Sequence, residues 1–254
     1  MSFALDAFLM LIGRLTGLFL SAPIFASRQL PGKVKILLII LLAGLMSYYV
    51  SVPYAVNLAT PAAFIAAIVL EIFIGYCIGF VAYVIFAAIQ LAGQLIDMQM
   101  GFAMVNVLDP QTGTQIPLMG NFLYLLALLL YLSMNGHHYL LEALVQSYQL
   151  IPVMGVSLGH DFIQLMIEIT VYMFVIAVKV SAPVVVAVMV ANIAMGFIAR
   201  TVPQMNVFIV GLPLNIFLGF FMLLLLLPVY MWIMNILFER FIGYLDVLLL
   251  TMGM

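Results

Sequence analysis

Charge is what this chain has least of. Asp, Glu, Lys and Arg together make up 6% of its 254 residues, where a soluble domain carries about a quarter. Hydrophobic residues reach 68% and the mean hydropathy is +1.34. No soluble fold of this length has enough interior to hide that much apolar surface. The single cysteine, Cys77, sits inside an apolar run. It excludes an internal disulfide, offers no metal-ligand spacing, and reads as a small buried hydrophobe. A net charge of −2 gives no basic patch for nucleic acid. No Gly-x-Ser-x-Gly, P-loop or Cys-x-x-Cys motif occurs, so no catalytic constellation and no cofactor are expected. Residues 1–26 lack the short basic start and small-residue cleavage site of a signal peptide and read as a retained span.

What is present is long and apolar. Six blocks run over roughly 7–26, 36–56, 62–105, 118–134, 162–199 and 207–238. A membrane span needs ~20 apolar residues. In lipid the backbone must bond to itself, so spans are helices or closed barrels. Continuous rather than alternating apolar runs favour helices, which predicts an all-α integral membrane protein. The third, fifth and sixth blocks exceed one span, and each is either a long tilted helix or a helix bent into a hairpin. Pro183, Pro213 and Pro228 are the natural bend points. If every block crosses once, the connectors holding Arg28, Lys33, Lys35 and Arg200 share a side. The positive-inside bias makes that side the cytoplasm.

Polar residues inside these blocks are the candidate functional positions. Gly13 and Gly17, and likewise Gly75 and Gly79, place paired glycines on one helix face, for close packing within the chain or against another subunit. Arg14, Glu71, Asp97, Glu168 and Lys179 fall within apolar blocks, where a lone charge costs at least ~2.5 kcal/mol. Arg14, Glu71, Glu168 and Lys179 are expected as buried charges: internally paired, part of a relay, or lining a polar conduit or subunit seam. Gln90, Gln94, Asp97 and Gly101 follow i, i+4, i+7, i+11, a polar stripe that must face a neighbouring helix or water. The stripe leads into the longest polar interruption, 106–117 (NVLDPQTGTQIP). This is either an ordinary connector or a loop that lines or closes a passage. Its candidate plug or pore residues are Asn106, Asp109, Pro110, Gln111, Thr112, Gly113 and Thr114. His137, His138 and Glu142 lack the spacing of a zinc site, and no metal is expected.

Several blocks in order resemble the FliR family of flagellar biosynthesis proteins and its counterparts in type III secretion injectisomes. They are Arg14-x-x-Gly17 with Pro23 and Pro31, Glu71-x-x-x-Gly75-x-x-x-Gly79-Phe80, Gly93 through Gly101, Asp109-Pro110, Gly136-His137-His138, Ser181-Ala182-Pro183, Arg200-x-x-Pro203-Gln204-x-Asn206-Val207-Phe208, and Gly211-x-Pro213. The resemblance covers nearly the whole chain. It implies long, bent helical hairpins, with a FliP-like part over about 1–160 and a FliQ-like part over about 161–254. It implies a non-enzymatic structural and gating subunit of an export gate in the bacterial inner membrane, at the flagellar basal body. FliP-like and FliQ-like subunits would be its partners, FlhB-like and FlhA-like proteins would dock nearby, and unfolded flagellar subunits would be its cargo. A gate raised toward the periplasm need not follow simple hydropathy. The rival readings are an injectisome counterpart and a polytopic secondary transporter. The latter would use the intramembrane charges as a relay.

Overall fold

The computed structural model describes residues 5–27, 29–50, 52–53, 60–102, 117–202, 204 and 206–253. Among these residues there is no strand, and seven α-helices carry the chain: α1 (Leu5–Ser21), α2 (Gly32–Tyr49), α3 (Pro61–Met100), α4 (Leu118–Ser133), α5 (Gly136–Leu150), α6 (His160–Thr201) and α7 (Val207–Gly253). The protein is an all-α membrane protein.

Of the two forms open to the long blocks, the structure takes the continuous one. The helices α3, α6 and α7 have 40, 42 and 47 residues. At 1.5 Å per residue each is roughly 60–70 Å long, about twice the hydrocarbon thickness of a bilayer. Pro183, Pro213 and Pro228 all lie inside helices. Each removes one backbone bond without ending its helix. Four helices (α2, α3, α6 and α7) are long and apolar enough to cross a membrane, and α4 with α5, bent by 65°, makes a fifth candidate. The first block gives only the 17-residue α1, at the lower limit of span length, and most of it is covered by protein.

The chain divides into two compact units. The first comprises 1–85, 131–170 and 237–254, and the second 86–130 and 171–236. In the first, α1 packs against α3 with contacting residue numbers differing by 55 to 61: Gly17 lies against Ile72 and Tyr76, Gly75 against Arg14 and Leu18, and Gly79 against Ser21 and Ala22. A near-constant difference means parallel helices, with α2 carrying the chain back between them. The loops of this unit are tied by Val153 N–H to the Pro53 carbonyl at 2.8 Å and Ser157 N–H to the Met252 carbonyl at 2.9 Å.

The second unit is built from hairpins. Its part of α3 runs antiparallel to α4: Phe86 meets Tyr124 edge-on at 5.7 Å, and Gly93 lies against Gly120. Its parts of α6 and α7 pair symmetrically about the connector 202–206. Asn215 donates to Asn192 at 2.9 Å, and Gly211 sits beneath Met195. Tyr230 of α7 donates to the Leu123 carbonyl of α4 at 3.0 Å.

Candidate functional site

Two polar constructions stand out against the apolar background, one in each unit. In the first unit the glycine faces of α1 and α3 let the backbones come so close that a Cβ on Gly17 would strike the Ile72 carbonyl, and one on Gly75 the Arg14 carbonyl. This approach brings Arg14 and Glu71 together. The two make a two-pronged ion pair, Nε to Oε2 at 2.7 Å and Nη2 to Oε1 at 2.9 Å, and both side chains are 0% exposed.

Helix α5 closes the pair from the other side. Arg14 Nη1 donates to Ser147 Oγ at 2.8 Å, and Nη2 donates to the Ile151 carbonyl at 3.1 Å. The Tyr148 ring lies under the guanidinium at 3.7 Å, a cation–π contact. The Tyr148 hydroxyl is 3.2 Å from both the Met10 carbonyl and Glu71 Oε2. Four of the five guanidinium N–H groups are thus engaged, as a buried arginine requires. With the guanidinium and the carboxylate each committed to the other and buried, the arrangement is a brace.

In the second unit Asp97, 6% exposed, accepts hydrogen bonds from Met119 N–H at 2.9 and 3.1 Å and from Gly120 N–H at 3.2 Å. These amides belong to the first turn of α4, whose donors have no partner within their own helix. The carboxylate also lies where the helix dipole favours a negative charge. Of the two environments open to the polar stripe, Asp97 takes the neighbouring helix. Gln90 and Gln94 beside it are half-buried. Gly101 follows the end of α3 with φ at +88°, in the left-handed region that glycine enters without strain. The candidate plug residues Asn106, Asp109, Pro110, Gln111, Thr112, Gly113 and Thr114 lie outside the described residues, in the connector that starts beyond Gly101 and ends where Asp97 caps α4.

Two of the charges expected as buried lack cover within this chain. Glu168 and Lys179 are exposed on this chain, because the flank of α6 that carries them is not covered by the helices packed around it. Glu168 receives only a long contact from the Tyr244 hydroxyl, 3.5 Å. Arg14 and Glu71 are both buried. Both glycine pairs pack within the chain. The His137 and His138 ring centres lie 4.1 Å apart with the planes tilted by 45°, and Glu142 accepts from Gln146. Among the described residues no group of three or more His, Cys, Asp or Glu stands together as a metal site.

Sequence reasoning missed Ser147, Tyr148, Met119 and Gly120. Ser147 lies 133 positions from Arg14, and no periodicity within α5 points across that distance. The Met119 and Gly120 amides contribute backbone groups, which residue types cannot announce. A weak signal did exist in Asp97 itself, a carboxylate at the end of an apolar helix that needed donors from somewhere.

Comparison with known proteins gives one consistent result. The model of the family described as bacterial export proteins, family 1, matches residues 5–241. The chain is 40% identical to the flagellar biosynthetic protein FliR of Bacillus subtilis over 226 residues, covering 88% of this chain and 86% of that protein. It is 29% identical to FliR of Escherichia coli, with 85% and 82% covered, and 27% identical to FliR of Aquifex aeolicus, with 85% and 83% covered.

Proposed function

Because the chain belongs to the bacterial export proteins of family 1, we propose that it is the structural and gating subunit of a flagellar type III protein-export gate. It assembles with FliP-like and FliQ-like subunits, lies near FlhB-like and FlhA-like proteins, and passes unfolded flagellar subunits across the inner membrane. The observation that carries this reading is the likeness to FliR along 88% of the chain. The relatives named above bear flagellar names, which favours the flagellar over the injectisome branch.

The geometry supports a structural role over transport chemistry. A secondary transporter needs ionisable groups that load and release, yet Glu71 is committed to Arg14 and Asp97 to the start of α4. The long helices leave apolar flanks uncovered, including Leu129, Val190, Phe217 and Leu224. Lipid and partner helices are the natural cover for such flanks.

Native mass spectrometry of the tagged, gently solubilised complex tests the proposal. One copy of this chain with several copies of two small hydrophobic proteins is the expected result. A lone chain or a homodimer, under conditions that preserve known gate complexes, would overturn it.

A further inference from the structure

Lys179 is a cation without an anion. It is exposed partway along α6, and no ion pair or hydrogen bond joins it to any described residue. Immediately after it, residues 180–199 contain no Asp, Glu, Lys or Arg, and the run ends at Arg200. Twenty helical residues cover ~30 Å, the hydrocarbon thickness of a bilayer. Two cations therefore bracket one segment of membrane length, the spacing at which a lysine and an arginine can each extend their charge to a polar zone.

Beside it the second unit contains a cavity of about 520 Å³, in the ~300–1,000 Å³ range of pockets that take small ligands. Its walls include Phe122, Val180, Pro183, Leu224 and Ile233, and Lys179 is the one charged side chain on them. Pro183 adds a second polar feature. It has no N–H to give the Lys179 carbonyl four residues earlier, so that oxygen also lacks its helical donor.

We propose that this cavity holds an acyl chain of an anionic phospholipid whose phosphate pairs with the Lys179 ammonium. An apolar cavity in a membrane protein needs an apolar, deformable filler, and the cation on its wall needs a negative partner. A partner helix bearing a carboxylate would neutralise Lys179 and leave the cavity unfilled, whereas one lipid does both. Basic pockets between membrane helices bind anionic headgroups on the same physical basis.

The test is native mass spectrometry of the purified full chain, or of the complex if it co-purifies, after delipidation and incubation with phosphatidylglycerol or phosphatidylcholine. The wild-type protein is expected to retain phosphatidylglycerol selectively. Lys179→Gln lowers that retention about fivefold, the effect of one basic residue at an anionic surface, and Lys179→Arg preserves it. Leu224→Trp, on an exposed part of the wall, narrows the cavity and lowers retention with the lysine intact. Lys33→Gln leaves it unchanged. Equal retention by wild type and Lys179→Gln overturns the proposal. So does Lys179→Gln keeping the lipid while losing a protein partner, which would make a carboxylate the counter-ion. Should Lys179→Gln fail to fold, Leu224→Trp decides alone, and undiminished phosphatidylglycerol there overturns the proposal.

Discussion

Arg14 is held on every side, and removing any of its partners leaves something buried and unsatisfied. Glu71→Gln deletes the negative half of the pair and strands the guanidinium in an apolar interior. Breaking a buried pair in this way costs about 3–5 kcal/mol, whereas replacing both partners by apolar residues of similar volume is often close to neutral. The single variant is therefore expected to lose most of its folded yield and melting temperature. Arg14→Met combined with Glu71→Leu should recover much of both. Thermal unfolding in detergent measures this, and a single variant as stable as wild type would show that the brace contributes little. Tyr148→Phe keeps the ring under Arg14 and removes only the hydroxyl, a loss of about 1 kcal/mol. Asp97→Ala leaves two backbone donors at the start of α4 without their acceptor, at about 1–3 kcal/mol. Hydrogen exchange should then show the Met119 and Gly120 amides losing protection. Unchanged protection at those amides would mean that water or another group caps α4 instead.

At the scale of elements the glycine faces decide how α1 and α3 meet. Gly75→Leu drives a side chain into the Arg14 backbone, so it should abolish folding or assembly altogether instead of slowing transport. Gly44 of α2 has no atom within 4 Å of a substituted Cβ. There Gly44→Ala should be neutral or stabilising by up to about 1 kcal/mol, from helix propensity alone. Normal yield from Gly75→Leu would refute the close crossing. This level was also the most legible in the sequence. Apolar run length and the four-residue glycine spacing announce helices and their tight faces, because lipid imposes both rules locally. What stayed hidden was partnership. The spacing of Gly13 and Gly17 cannot say that their partner lies on α3, and nothing in the α6 sequence says that the flank holding Glu168 and Lys179 is left open. Those facts depend on which helices the tertiary fold brings alongside. Nor do Pro183, Pro213 and Pro228 mark reversals, because one lost backbone bond can bend a helix without ending it.

For the whole molecule, the gate reading makes the connector 106–117 the point of control. Residues 106–116 of it lie outside the described set, but its two attachments are fixed by the end of α3 and by the Asp97 cap on α4. If the connector closes a passage, deleting residues 111–114 should make the assembled gate conduct small ions in a planar bilayer, while complex yield stays normal because the Asp97 cap is untouched. Wild-type conductance from an intact complex would reduce the segment to a simple link.

The Arg14–Glu71 brace also has a consequence for how the chain is made. Its halves are 57 residues apart, so at about 5–20 residues per second roughly 3–11 s pass between the synthesis of one and the other. During that interval the arginine has no counter-charge, and committing it to lipid alone costs at least ~2.5 kcal/mol. Entering the bilayer together with the third helix, as a charge-neutral pair, spares the first helix that cost. Translation order thus bears on folding: α1 is written before the partner that neutralises it.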